Sequence, residues 1–241
     1  MIDASMSDAL GRIAARAQDV LHAYQGGFEP EAHDATLSGK PAFEASLDPL
    51  SVVAPEGTYF LVGGAAGSPA SYSRDGAFTF ADGTLRASDG SVVLGTGTRG
   101  AQLGPLTIDP VDRALGKVSD ERIEGDGSVC YTRVSVDPRT GARRTDRITV
   151  GRLALARFPA GTLPVRLDAT HLGAPRGVTP HVGAPADGNF AMLTTHARDL
   201  GRLDLVAGLA RLQEAYLSFE ALRAAGSARG SVSKTTMDLV K

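Results

Sequence analysis

The chain has 241 residues and a net charge of −2, contains no Trp, and has an aromatic content of 5%. This composition suits a globular protein with one sizeable core or two small ones, and it excludes a basic, base-stacking surface for nucleic acids. We expect no cleaved secretory signal and no membrane insertion, because no apolar run approaches the roughly 20 residues of a bilayer span. Cys130 is the single cysteine, so no disulfide can form within the chain.

The prolines divide the chain into three parts. All 13 lie between Pro30 and Pro185, and none occurs in the first 29 or the last 56 residues. Because proline breaks a helix interior, the two ends are free to be helical and the middle is not. We therefore predict an N-terminal helix over 1–27, a linker over 28–47, a β-rich middle domain over 48–190, and a C-terminal helix over 191–241.

Apolar and small residues recur along both terminal segments at alternating spacings of four and three. This average spacing of 3.5 places one apolar seam along a helix and is typical of coiled coils. The two helices could also be amphipathic and lie on the middle domain; the alternative is that they pair with each other or with neighbouring subunits. The predicted assembly seam consists of Met6, Leu10, Ile13, Ala17, Val20, Tyr24, Leu205, Leu209, Leu212, Tyr216 and Phe219.

The middle of the chain carries the dipeptide Asp-Gly three times, at Asp75, Asp82 and Asp89. Asp-Gly between two short alternating runs is a strong hairpin signal, because both residues tolerate the positive φ of a type I′ turn. We interpret the three dipeptides as corners of a β-meander. The predicted fold class is mostly β with terminal α-helices: an antiparallel β-domain inserted between N- and C-terminal coiled-coil-like helices.

The sequence offers little for catalysis or metal binding. Each Asp-Gly corner supplies one carboxylate, which is too few ligands for calcium. No nucleophile elbow, phosphate loop, Cys-x-x-Cys or His-Glu-x-x-His motif occurs. His33-Asp34 could pair a base with its orienting carboxylate, but no nucleophile is identifiable nearby. We predict that the protein is not an enzyme, that it has no catalytic, cofactor-binding or metal-binding residues, and that it needs no cofactor.

The stretch YSRDGAFTFADGTLRASDGSVVLG, residues 72–95, resembles the signature of bacterial flagellar basal-body rod and hook proteins. In that family a Tyr-Thr-Arg-Asp-Gly-x-Phe core is followed by Gly-x-Leu-x-x-x-Asp-Gly and by Val-Leu-Gly. The matching positions are Tyr72, Arg74, Asp75, Gly76, Phe78, Gly83, Leu85, Asp89, Gly90, Val93, Leu94 and Gly95. The lead-in at Gly57, Phe60 and Val62 and the run Glu214, Ala215 and Tyr216 are also similar, whereas the family's N-terminal Asn-Asn-Leu-Ala-Asn box is absent.

The resemblance implies a structural axial protein of the flagellar rod that self-assembles through its terminal helices. Its partners would be other rod and hook subunits, further copies of itself and the flagellar export apparatus. It would reside in the periplasmic rod of the basal body and reach it without a cleaved signal peptide. Neither nucleic acid nor membrane insertion is implied.

Two other hypotheses share the β-rich middle. The first is a secreted or periplasmic β-domain that binds or cleaves carbohydrate, with a pair of cleft carboxylates as its site. Candidates for that pair are Asp109, Asp112, Asp120 and Glu121. The second is a small adhesin whose β-domain binds a host ligand outside the cell envelope.

Overall fold

A computed structural model of the chain describes residues 2–21, 43–63, 71–98, 102–136, 139–168, 170–201 and 205–239. In the two terminal helices, side chains are described for residues 5–21 and 206–228. The chain divides into two compact units. Unit 1 comprises Met1–Tyr24, Glu29–Lys40 and Arg202–Lys241, and unit 2 comprises Gln25–Phe28 and Pro41–Gly201.

The described residues include three helices and seventeen strands. The helices are α1 (Ile2–Leu21), α2 (Pro110–Ala114) and α3 (Leu205–Leu239). The strands before α2 are β1 (Phe43–Ala45), β2 (Val52–Val53), β3 (Thr58–Gly63), β4 (Ser71–Ser73), β5 (Thr79–Ala81), β6 (Thr84–Arg86), β7 (Val92–Gly97) and β8 (Leu103–Pro105). The strands after it are β9 (Val118–Ile123), β10 (Ser128–Val136), β11 (Arg143–Leu153), β12 (Leu155–Arg157), β13 (Val165–Arg166), β14 (Leu172–Gly173), β15 (His181–Gly183), β16 (Thr194–Thr195) and β17 (Ala197–Asp199).

Thirteen of the strands form one antiparallel sheet. Its main path runs β13-β14-β4-β3-β7-β11-β10-β9, with β5, β6, β8, β12 and β15 attached beside that path. Two short two-stranded sheets, β1–β17 and β16–β2, accompany it. The mostly β part of the predicted fold class is therefore confirmed.

Strand β3 separates two hydrophobic clusters. Successive side chains of a strand point to opposite faces, and all six residues of β3 are buried. Phe60 and Val62 lie in the larger cluster, whereas Tyr59 and Leu61 lie in the smaller one. The larger cluster also includes Val52, Phe78, Leu85, Val93, Leu106, Ile123, Val129, Leu153, Leu155, Phe190 and Leu193, and the smaller one includes Tyr72, Ala154, Ala156, Phe158 and Leu172.

The predicted coiled coil is wrong. Helices α1 and α3 belong to the same unit and contact each other, but the seam residues do not form a buried stripe. Leu10, Leu209 and Tyr216 are 52%, 48% and 55% exposed. Among the residues of these two helices whose burial is described, the buried ones are instead Ala9, Asp19 and Gly208.

The length of α1 and the identity of its buried residues explain the difference. A coiled coil needs apolar heptads over three or four repeats, and α1 ends after 20 residues, before three heptads are complete. A spacing of 3.5 shows which residues can share a face but not which face becomes covered. Met6, Ile13, Ala17, Val20, Leu212 and Phe219 are half-buried, and Tyr24 and the side chain of Leu205 lie outside the described residues.

The stretch 41–201 begins and ends at adjacent strands. β1 pairs antiparallel with β17, with Phe43 opposite Asp199 and Ala45 opposite Ala197. β1 lies in the stretch predicted as a linker. β16 and β17 lie in the stretch predicted as the C-terminal helix, whereas the observed helix α3 begins only at Leu205. No described helix is long and apolar enough to cross a membrane.

The hairpin between β5 and β6 has the turn that its dipeptide predicts. Asp82 and Gly83 have φ values of 53° and 75°, which is the conformation of a type I′ turn. The flanking residues Ala81 and Thr84 face each other across the two strands.

Substitution of Gly83 by valine is expected to lower the free energy of unfolding by about 1–2 kcal/mol, because a β-branched residue resists positive φ. A Cβ there would also lie 3.1 Å from Cδ of Arg113. The control Asp82→Asn should be nearly silent, since asparagine tolerates this conformation and the exposed ion pair with Arg113 stabilises little. Urea denaturation measures both; a large loss from Asp82→Asn would contradict the turn interpretation.

Candidate functional site

Arg74 of the signature is buried in unit 2, although arginine is usually a surface residue. Its side chain is 1% exposed. Nε and Nη2 lie 3.1 and 3.0 Å from Oδ2 of Asp199. Nη1 donates to the carbonyl of Thr58 at 2.9 Å, and Nη2 donates to the carbonyl of Ala54 at 3.2 Å. The guanidinium therefore joins the signature to Ala54 before β3, to the first residue of β3 and to the last strand of the unit.

A buried ion pair persists only where both charges keep good hydrogen bonds. Asp199 meets this condition, because its Oδ1 accepts the N–H of Gly201 at 2.9 Å while Oδ2 faces Arg74. Asp199 ends β17, which pairs with β1, so the ion pair lies where the stretch 41–201 closes on itself. We call Arg74, Asp199 and the carbonyls of Ala54 and Thr58 the exit clamp.

The first Asp-Gly dipeptide is not a corner of the meander, which corrects the sequence-based interpretation. Asp75 and Gly76 are both buried between β4 and β5. Burial raises the pKa of Asp75, whose carboxylate accepts hydrogen bonds from the Ser88 hydroxyl and the Ala77 N–H. A Cβ on Gly76 would overlap the carbonyl oxygen of Val52. This glycine therefore permits a close backbone approach.

The third dipeptide is a corner. Asp89 and Gly90 join β6 to β7, and Gly90 has a φ of 87°. The Gly90 N–H donates to the carbonyl of Ala87 at 3.0 Å, and Oδ1 of Asp89 accepts the N–H of Ser91 at 2.8 Å. Both dipeptide residues are exposed, so this corner holds a turn at the surface.

The aromatic residues of the signature contribute packing. Tyr72 meets Phe158 edge to face with ring centroids 5.1 Å apart, and Phe78 meets Phe60 in the same way at 5.0 Å. Such pairs stabilise a core beyond the area they bury. Burial also raises the pKa of Tyr72. Of the twelve signature positions matched in the sequence, nine are buried: Tyr72, Arg74, Asp75, Gly76, Phe78, Gly83, Leu85, Val93 and Gly95.

A histidine cluster at the Asp89 corner was not predicted from the sequence. Nδ1 of His171 lies 2.8 Å from Oδ2 of Asp168, and its Nε2 lies 2.9 Å from Oγ of Ser91 and 3.1 Å from Oδ2 of Asp89. Thr170 Oγ1 also donates to Asp89 at 3.0 Å. The cluster links segments about 80 positions apart, so no local pattern could have revealed it. His33-Asp34, the pair that the sequence did suggest, lies outside the described residues.

The order carboxylate, imidazole, hydroxyl in this cluster is also that of a Ser-His-Asp hydrolase. Asp89 argues against that chemistry, because its carboxylate shares Nε2 of His171 with the hydroxyl of Ser91. A negative charge beside the hydroxyl would oppose the oxyanion that acyl transfer develops. The geometry instead suits a structural contact that joins the Asp89 corner to Asp168, Thr170 and His171.

Replacing Asp168 with asparagine is expected to reduce the loss of folding stability that accompanies a fall in pH from about 5 to about 2. Partial burial alone would raise the pKa of Asp168, but hydrogen bonds from the Thr170 and His171 N–H groups and the His171 ring outweigh it and lower the pKa. A carboxyl with a lowered pKa stabilises the fold above its unfolded value near 3.9, and this contribution is lost as the pH falls through the folded pKa.

Urea midpoints of the wild type and Asp168→Asn measure this effect between about pH 5 and pH 2. The wild type should lose more stability over that range than the variant does. Asp82→Asn, at an exposed turn position, is the control and should follow the wild type. Parallel curves for the wild type and Asp168→Asn would contradict the assignment.

The four carboxylates of the carbohydrate hypothesis do not meet in a cleft. Oδ1 of Asp109 accepts the N–H of Val111 at the start of α2. Oδ2 of Asp112 accepts the hydroxyl of Tyr131 at 2.8 Å; burial and this hydrogen bond raise the pKa of Tyr131 to about 12. Asp120 pairs with Arg122 on β9, where Glu121 also lies.

The chain has a cleft of about 510 Å³ elsewhere, between residues 157–160 and 179–181. None of those four carboxylates lines it. Within the described part of the chain, no group of three or more His, Cys, Asp or Glu side chains is arranged to hold a metal ion. Cys130 is buried on β10.

Comparison with known proteins gives no family assignment. No protein-family model matches the chain, and no curated protein sequence matches it. A function can therefore be argued only from the signature residues and from the contacts that they make in the fold.

Proposed function

We propose that the chain is a structural subunit of the bacterial flagellar basal-body rod and catalyses no reaction. The main support for the proposal is that the signature residues pack the interior of unit 2. Tyr72, Arg74, Asp75, Gly76 and Phe78 are buried, and their side chains or backbone hold neighbouring segments of unit 2 together. A motif used for packing suits a protein that builds an assembly better than one that turns over a substrate.

The order of the two units along the chain supports the same proposal. The exit clamp and the β1–β17 pair close the stretch 41–201, and the segments Met1–Tyr24 and Arg202–Lys241 on either side of it belong to unit 1. A domain whose two ends lie side by side can be inserted into another without disturbing it. The family resemblance implies this organisation for an axial subunit, with the β-rich part inserted between the terminal segments.

The proposed partners are other rod and hook subunits and further copies of the chain. Apolar side chains on the terminal helices offer contact surface, since Leu10, Leu209, Tyr216 and Leu217 are about half exposed or more. The flagellar export apparatus would deliver the chain to the periplasmic part of the basal body.

Deletion of the gene in its own organism is expected to abolish or impair swimming, because a rod that lacks one subunit type cannot carry a hook and filament. Motility in soft agar and electron microscopy of the cells measure this. The wild-type gene and the matched turn variant Asp82→Asn should both restore swimming. Normal flagella and normal swimming in the deletion strain would contradict the proposal.

A further inference from the structure

We propose that the cleft between residues 157–160 and 179–181 binds an extended acidic segment of a partner protein. The segment would pair with the outer edge of β15 and place a carboxylate on Arg157. This interaction is additional to the proposed rod function and does not depend on it.

A buried phenylalanine contacts two basic side chains that line the cleft. Cζ of Arg157 lies 5.0 Å from the centroid of the Phe190 ring, and the His181 ring stacks on Phe190 at 5.6 Å with an angle of 3°. Arg157 and His181 face each other across the β12–β15 pair. The cation–π contact orients the guanidinium before any ligand arrives, which reduces the entropy lost on binding.

The loop before Phe190 is built to hold that ring in place. The carboxylate of Asp187 accepts the N–H groups of Ala184, Asn189 and Phe190 at 2.9–3.1 Å. These hydrogen bonds lower the pKa of Asp187, with a smaller contribution from the neighbouring His181. A Cβ on Gly183 would lie 2.7 Å from the Phe190 ring, so the glycine leaves room for the ring against β15.

The charge of the cleft favours an anion. Within the described part of the chain, Arg157 is in contact with an aromatic ring and forms no ion pair with a carboxylate, whereas Arg133 and Arg147 on the β10–β11 hairpin both pair with carboxylates. The remaining cleft residues are Phe158, Pro159, Ala160, Thr179 and Pro180. Apolar walls beside an available guanidinium fit a carboxylate flanked by apolar side chains.

The edge of β15 favours a peptide over a small molecule. β15 pairs with β12 and with no other strand among those described. His181, the first residue of β15, lines the cleft, and Val182 in the centre of the strand is partly exposed. An unpaired edge next to an open cleft is the setting in which extended peptides bind by adding a strand, with side-chain pockets that supply the specificity.

The test uses the full chain and a blocked hexapeptide of alternating valine and glutamate, followed by amide shifts in NMR spectra. We expect saturable shifts concentrated at the non-proline residues of 157–160 and 179–183. The same peptide with glutamine in place of glutamate should bind about tenfold more weakly, which corresponds to about 1.4 kcal/mol for the charged hydrogen bond. A backbone N-methylated glutamate peptide should also bind more weakly, because it cannot donate to the strand edge.

Arg157→Gln should remove the preference for glutamate over glutamine, and Arg143→Gln, at an exposed arginine outside the cleft, should preserve it. Arg157 is itself exposed, so its replacement should leave the fold intact, and an unchanged melting temperature checks this. Absence of shifts at the cleft, equal binding of both peptides, or an unchanged preference in Arg157→Gln would overturn the proposal. Equal binding of acetate would also overturn it, by showing that the cleft takes any free carboxylate.

Discussion

Replacing Arg74 with methionine is expected to lower the free energy of unfolding by about 3–5 kcal/mol, because it leaves the Asp199 carboxylate buried without its partner. The substitution also removes the donor to the carbonyls of Ala54 and Thr58. Burying a polar group without a hydrogen bond adds to the loss. Urea denaturation of the full chain, followed by circular dichroism, measures the change.

The matched control for Arg74 is an ion pair of similar length at the surface. Arg113 and Asp82 lie 3.1 Å apart, but their side chains are 50% and 91% exposed, so Arg113→Met should change stability by less than about 1 kcal/mol. Because Arg74 and Asp199 interact directly, the double variant Arg74→Met with Asp199→Asn should lose less than the sum of the two single variants. Equal losses of unfolding free energy from Arg74→Met and Arg113→Met would show that the exit clamp stabilises the fold no more than a surface ion pair does.

Replacing Gly76 with alanine is expected to destabilise the chain by at least about 3 kcal/mol, because a single methyl group would overlap a backbone atom. The obstacle is the carbonyl oxygen of Val52. Val52 cannot easily move away, because its N–H donates to the carbonyl of Gly76 at 3.0 Å. The two backbones are held together at this point. The midpoint and slope of urea denaturation measure the effect.

Gly104→Ala is the control for Gly76. Gly104 lies on β8, and a Cβ there would meet nothing within 4 Å. Alanine in a strand loses less conformational freedom on folding than glycine does, so this variant should keep or slightly raise the stability. A mild effect at Gly76, similar to that at Gly104, would contradict the close approach of the two backbones.

The features that could be predicted from the sequence are local ones. The type I′ turn depends on two adjacent residues, Asp82 and Gly83, and on the alternating runs beside them. The corner at Gly90 depends on a similarly short stretch. The signature as a whole could be recognised from the spacing of its residues, but the spacing does not reveal which of them are buried.

The contacts that matter most could not be predicted because they join distant parts of the chain. Arg74 and Asp199 are 125 positions apart, and Gly76 meets the carbonyl oxygen of Val52 on β2, two strands earlier in the chain than β4. The same limit explains the wrong coiled coil: the spacing of Leu209 and Tyr216 is compatible with a seam, but the contact surface of α3 depends on its partner. The cleft at Arg157 likewise brings two segments together that no motif connects.

Mass spectrometry of purified hook–basal bodies from the chain's own organism tests whether the chain is a structural part of the flagellar rod. We expect these particles to retain the chain in an amount comparable to the other rod subunits, and we expect the deletion strain to yield no such particles. Absence of the chain from wild-type hook–basal bodies, with the chain recovered instead from the periplasm or the culture medium, would overturn the proposed function.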